Sequence, residues 1–399
     1  MTIGVKYIAY PNASGYGLAA VAYVRALHNA GVPVWWQPWL LGGASYLWQP
    51  SDGLDRLPLG RAADNDAALA DLEALARATF RPLDYDTVVV HTVPEHWPKF
   101  VEAGKRMVGY TVWETDALPA HWPALLNAMD AVVVPCAMNA GLFRRGGVTR
   151  PLHVVPHIRR HAWSAAARDQ GIALRLRLRI PDDHFVFYSI GAWDPRKALD
   201  DLIASFAETF EAKDHVTLLV KTSAIVTNAA HGGGAPVEPR VRELAAAAAR
   251  RLGRAAPNIA VIAADDISGR TIDAIHATGD CYVSLARGEG WGIGAFDAAA
   301  LGKPVLVTGW GGHTDYLGED YPGLIRYDME PVSGWLPHAS YRASQCWARP
   351  DPVHAASLMC AAMARDAALA EAASRAQETI ANSFAEPVVV RRLLSAVDG

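Results

Sequence analysis

The amino-acid sequence predicts an α/β protein built from two parallel-sheet domains. Short apolar runs of strand length alternate with helical patterns along the chain, and this series occurs twice, separated by a polar, charge-rich stretch. The 399 residues are enough for two cores of ordinary size. Continuous apolar strands, rather than strands with one polar face, indicate parallel sheets covered by helices on both sides.

In the first series, strand-like runs occupy 3–9, 33–37, 86–91, 106–112, 131–135 and 152–156, with helical patterns between them such as DAALADLEALARATF at 66–80. The second series comprises FVFYSI from 185, VTLLVK from 216, IAVIAA from 259, CYVSL at 281–285, PVLVT from 304 and a weaker GLIRY from 323. The boundary falls in the stretch 157–183, where IRRHAWSAAARDQ and IPDDH flank ALRLRLRI. That repeat reads better as an amphipathic helix solvated on its arginine side than as a basic-faced strand or a membrane-surface contact. The expected limits are 1–175 for the first domain, 176–380 for the second and 381–399 for a final helix.

Composition excludes several classes. A formal net charge of −4 and a pI near 6.4 carry no basic signature for nucleic acid. Hydrophobic residues make up 51% of the chain but are dispersed, and no run approaches the ~18 apolar residues of a membrane span. The start, MTIGVKYIAY, enters a strand-like run with no secretory signal pattern. Cysteines 136, 281, 346 and 360 lack paired metal spacing and read as free thiols of a cytoplasmic protein. Core packing explains most of the 13 tryptophans, leaving some as candidates to line a ligand cleft.

The stretch from Gly288 to Gly312, GEGWGIGAFDAAALGKPVLVTGWGG, has the layout of a ligand site. An apolar strand leads into a glycine loop, the loop opens a helix, and Gly302 and Pro304 end that helix. Free N–H groups at a helix start favour an anion such as phosphate, and Gly292, Ile293 and Gly294 would supply them. With the helix beginning near 294, Asp297 is expected in its first turn on the ligand side, and Glu289 in the mouth of the loop. Carboxylates suit the hydroxyls of a sugar or ribose.

This segment resembles the signature of family 4 of retaining nucleotide-sugar glycosyltransferases, a Glu, seven residues and a second Glu. Here Glu289 and Asp297 stand in that register, with Asp replacing the second Glu. The resemblance implies the GT-B fold, two Rossmann-like domains facing a central cleft. It assigns Glu289 to the donor sugar and Asp297 to the nucleotide ribose. GAWDPRKALDDLIASF resembles the family segment that holds the donor diphosphate, which points to Arg196 and Lys197, although Ala192 stands where the family commonly has another Arg. The loop YPNASGYG, with Gly15 and Gly17, resembles the glycine loop lying over the diphosphate. QCWARPDP at 345–352 resembles a family turn in which Arg349 replaces Glu.

Two strands of the first series end in polar groups. His91 closes DTVVVH and is assigned to the sugar or acceptor, while Glu114 and Asp116 follow the next strand as possible cleft or acceptor residues. Asp84 and Asp86 precede their strand, the wrong end of the sheet for a metal site, and no other cluster has metal-ligand spacing. The expectation is thus a metal-independent, retaining transferase of polysaccharide or glycoconjugate biosynthesis that needs no cofactor beyond its nucleotide-sugar co-substrate. Its acceptor would be a saccharide, a lipid-linked species or a small molecule, and base recognition would use the backbone near 263–267. It would bind no nucleic acid and meet the inner membrane face at most peripherally. The alternatives are a related epimerase or phosphorylase, and a catalytically silent sugar-binding partner.

Overall fold

The computed structural model describes residues 4–12, 14–40, 46–47, 66–159, 165–226, 234–265, 267–334 and 340–398. The chain divides into two compact units. The first comprises Met1–Trp113, Ala117–Arg159 and Asn382–Gly399, and the second comprises Glu114–Asp116 and Arg160–Ala381.

The first unit contains strands β1 (Val5–Ala9), β2 (Val34–Leu40), β3 (Tyr46–Leu47), β4 (Thr87–His91), β5 (Arg106–Tyr110), β6 (Ala131–Val134) and β7 (Leu152–Val154). They form one sheet in the order β3-β2-β1-β4-β5-β6-β7, parallel except for the short β3 at its edge. Every residue of β4 and β6 is buried, which is why these strands read as unbroken apolar runs. The helix Gly15–Asn29 and the C-terminal helix Glu386–Asp398 share one core with the sheet, through Tyr23, Val24 and Leu27 on the first and Val389, Leu393 and Val397 on the second.

The second unit contains β8 (Phe185–Ile190), β9 (Val216–Thr222), β10 (Asn258–Ala263), β11 (Cys281–Ser284), β12 (Val305–Thr308) and β13 (Leu324–Ile325). These form a parallel sheet in the order β10-β9-β8-β11-β12-β13. A hairpin of β14 (Tyr327–Pro331) and β15 (Cys346–Pro350) was not expected from the sequence. Asp351 then caps the helix Pro352–Met363 by accepting from the Val353 and His354 N–H groups, so the QCWARPDP segment is a strand followed by a helix start.

ALRLRLRI lies within the helix Ala165–Leu178 up to Leu178, and that helix packs on the helix Gly269–Thr278 of the second unit. The sequence placed 160–175 with the first domain, but the first unit ends at Arg159 on that side. Residues 160–164 of the expected boundary stretch lie outside the described residues, as do residue 3 of the first expected strand and Asp266 of the expected base-recognition segment.

Candidate functional site

At the carboxyl end of β11 the chain turns into the helix Ile293–Ala300. Its N-cap is Gly292, at φ +79°, a left-handed conformation that excludes a Cβ at low cost. Among the described residues no side chain caps this helix. The Tyr316 hydroxyl lies 3.2 Å from the carbonyl oxygens of both Trp291 and Gly292 and holds the turn from behind. Gly294 also faces a neighbour closely, since a Cβ there would come within 2.7 Å of the Tyr282 hydroxyl.

Glu289 sits in the loop before this helix, and its carboxylate gathers the two cations expected from sequence. The Lys197 ammonium donates to Oε1. The Arg196 guanidinium is 3.5 Å from Oε2 and donates to the Gly288 carbonyl at 2.6 Å. These three side chains are only 16%, 20% and 13% exposed, for Glu289, Lys197 and Arg196. Burial alone would raise the Glu289 carboxyl pKa, but the charges of Lys197 and Arg196 outweigh it and hold the group below its ordinary range. Burial likewise disfavours the Arg196 charge, and Glu114, Tyr341 and Glu289 more than restore it. The arrangement is a preorganised pair of cations around one carboxylate.

Arg196 and Lys197 do not stand on a helix. The helix Leu199–Thr209 begins after them, with Ala198 at φ +48° as its N-cap and Asp200 and Asp201 in its first turn. Those aspartates complement the helix dipole, and the two cations are turned towards Glu289 instead.

The Glu114–Asp116 segment belongs to the second unit. Glu114 Oε1 is 3.8 Å from Arg196, and Oε2 accepts from the Tyr341 hydroxyl at 3.1 Å. Asp116 exchanges two bonds with Cys346: its N–H donates to the Cys346 carbonyl at 2.9 Å, and its Oδ1 accepts from the Cys346 N–H at 2.6 Å. Glu114 therefore sits beside the candidate site, whereas Asp116 anchors the chain.

Two of the expected site residues are buried. Asp297 is the fifth residue of its helix, one residue further on than expected, and is only 6% exposed. Its carboxylate lies 4.0 Å from Nε2 of His276, whose Nδ1 meets the Tyr188 hydroxyl at 2.9 Å, so it is turned into the fold. His91 is 1% exposed, with Nδ1 2.9 Å from the Tyr7 hydroxyl and its ring 3.9 Å from that of Tyr110. Burial and the neighbouring His157 push its pKa well below the ordinary value. Within the first unit its ring is buried among tyrosines.

Gly15 and Gly17, expected in a loop, are the first and third residues of the helix Gly15–Asn29, behind the N-cap Ser14. Gly17 is buried so closely on Asn12 that a Cβ would lie 2.0 Å from the Asn12 carbonyl oxygen, while Gly15 is exposed. Asp84 and Asp86 lie before β4, where Asp86 N–H donates to the Gly4 carbonyl.

Sequence reasoning missed Tyr341 and His313. Tyr341 follows a stretch with no strand or helix period, and nothing local marks it as a partner of Glu114. His313 follows two glycines after β12, a signal that could have been read. Among the described residues, no group of three or more His, Cys, Asp and Glu is placed to hold a metal ion, and no helix is long and apolar enough to cross a membrane. Among the described residues no disulfide forms: Cys136, Cys281, Cys346 and Cys360 are all thiols.

No protein-family model matches the chain, and no curated protein matches it in sequence. Solved structures do match its fold. Sucrose-phosphate synthase from Thermosynechococcus elongatus superposes with a TM-score of 0.64 at 14% identity, covering 98% of both chains. Anabaena HepE in complex with UDP and glucose gives 0.61 at 15% identity over 99% of both. A Staphylococcus aureus TarM mutant in complex with fondaparinux, α-GlcNAc-glycerol and UDP gives 0.54 at 13% identity; 78% of this chain is matched, spanning 55% of that one. These neighbours are GT-B glycosyltransferases, and the two parallel-sheet α/β units described above match their fold.

Proposed function

We propose that the chain is a retaining glycosyltransferase, akin to family 4, that moves a sugar from a nucleoside-diphosphate donor to a hydroxyl acceptor. The observation that carries this reading is Glu289, held by Lys197 and Arg196 just before the uncapped start of the helix Ile293–Ala300. Such a helix start, with two cations beside it, suits a diphosphate.

In the proposed reaction the bond between the sugar C1 and the β-phosphate oxygen breaks, and the acceptor oxygen forms its bond to C1 on the same face. The acceptor proton passes to the departing phosphate. Charge develops on that phosphate, and Arg196, Lys197 and the N–H groups around Gly292–Gly294 would stabilise it, so no metal is needed. As they turn towards the phosphate, Glu289 is released to accept from hydroxyls of the donor sugar. We place the reaction in polysaccharide or glycoconjugate assembly in the cytoplasm, with the acceptor at most at a membrane surface.

Phosphorus NMR of the protein with UDP-, GDP-, ADP- and dTDP-sugars tests this. A competent transferase slowly releases nucleoside diphosphate even without acceptor, and proton NMR of the first-formed sugar reports retention of the anomeric configuration. Absence of release from every donor would favour a silent binding partner, and an inverted product would exclude the retaining course.

A further inference from the structure

Behind Glu289 lies a cavity of about 10 Å³, lined among others by Ser284, Thr308 and His313. That is room for about one water or the tip of one hydroxyl. His313 is 2% exposed, and its Nε2 lies 2.7 Å from the Thr308 carbonyl oxygen. A carbonyl only accepts, so Nε2 carries the proton and Nδ1 presents a lone pair. Among the described residues Nδ1 has no hydrogen-bond partner.

Gly311 keeps this edge of the ring open. A Cβ at that position would stand 2.9 Å from Nδ1 and 2.7 Å from Cε1, and the φ of +152° is one that glycine favours. Among the described residues the hydroxyl of Thr308, another residue of the cavity lining, is buried and has no partner either. Buried polar groups are normally paired, so the Thr308 hydroxyl and the open Nδ1 edge of His313, on two residues lining one small cavity with a carboxylate, call for a complementary group.

The chemistry of the three groups narrows what that group is. A lone pair and a carboxylate repel an anion, and the Lys197 ammonium on Glu289 disfavours a second cation. A neutral hydroxyl meets all of them: its hydrogen goes to Nδ1 or to Glu289, and its oxygen accepts from the Thr308 hydroxyl.

We infer that His313 and Thr308, with Glu289, form a subsite that reads one hydroxyl of the donor sugar, which makes His313 a specificity-determining residue of this chain. The inference rests on the proposed donor reading. Titration calorimetry tests it by comparing UDP, GDP, ADP and dTDP with their glucosyl, galactosyl and mannosyl esters, on the wild type, His313→Phe and Thr308→Val. The sugar should add affinity in the wild type, and each variant should lose about tenfold of that gain while binding the bare diphosphate within about twofold of normal. Thr308→Val keeps the side-chain shape, so it decides the question should His313→Phe fail to fold. A wild type in which no sugar adds to its diphosphate, or a Thr308→Val protein that keeps the full gain, overturns the inference alone. A wild type that binds no diphosphate at all removes the donor reading and this inference with it.

Discussion

The Lys197 ammonium donates to the same Glu289 carboxylate that Arg196 approaches to 3.5 Å, an ion-paired cluster assembled from residues 92 and 93 positions apart. Because it is largely buried, removing one member leaves charge without compensation. Lys197→Met is expected to cost at most about 3 kcal/mol, since Arg196 remains. Urea unfolding measures this. On the proposed function, Lys197→Met and Glu289→Ala should each lower transfer by more than about tenfold in folded protein. Normal turnover in both would remove the site assignment.

Gly288 admits no side chain. A Cβ there would lie 2.0 Å from the Glu114 carbonyl oxygen, a backbone atom that cannot swing aside. Gly288→Ala should therefore destabilise by about 1–3 kcal/mol and loosen the 114–116 segment. Hydrogen exchange at the Asp116 and Cys346 N–H groups, which tie the 114–116 segment to Cys346, should accelerate in the variant and remain unchanged in a control such as Gly141→Ala, where a Cβ meets only the flexible end of Arg145.

Acid should weaken the first unit through two histidines. Burial holds His91 well below its ordinary pKa and takes His157 down to about 3. Both titrate near ~6.5 when unfolded, so below that pH the unfolded chain binds protons that the folded chain does not. Their contribution is fully present above pH ~6.5 and is lost as pH falls towards their folded values, at about 1.4 kcal/mol per unit for each. His91→Phe should roughly halve that slope in denaturation midpoints measured between pH 7 and pH 5. An unchanged slope would mean that His91 is solvated.

Asp297 should behave as a fold residue more than a ligand contact. Asp297→Glu adds a methylene beside His276 at a buried position and is expected to cost about 1–3 kcal/mol. Its effect on diphosphate affinity should be smaller than that of Lys197→Met, which calorimetry compares directly.

Much of this architecture is legible in sequence because parallel strands buried on both faces leave unbroken apolar runs, as in Val88–Val90 and Val132–Val134. β14 escaped notice for the opposite reason: its residues Tyr327–Met329 are exposed, and its apolar residues alternate with polar ones, so no unbroken apolar run marks it. Within the site, Glu289, Arg196 and Lys197 could be nominated from a local motif, but their mutual contact depends on chain paths that no local pattern encodes. The reading of Asp297 turned on where its helix begins. A start at Ile293, one residue earlier than expected, carries its carboxylate into the second turn and towards His276. His91 ends its strand as expected, yet Tyr7, Tyr23 and Tyr110 enclose it, and their convergence is a property of the folded sheet.

The most direct test of the account is thermal unfolding of the wild type and Lys197→Met with UDP, GDP, ADP and dTDP. One of these nucleotides, at 100 times its dissociation constant, should stabilise the wild type by ~2.7 kcal/mol, and the same concentration should stabilise Lys197→Met far less. Equal stabilisation of both proteins, or none of the wild type by any of the four, would contradict the assignment of Lys197 and Glu289 to a nucleotide-sugar site.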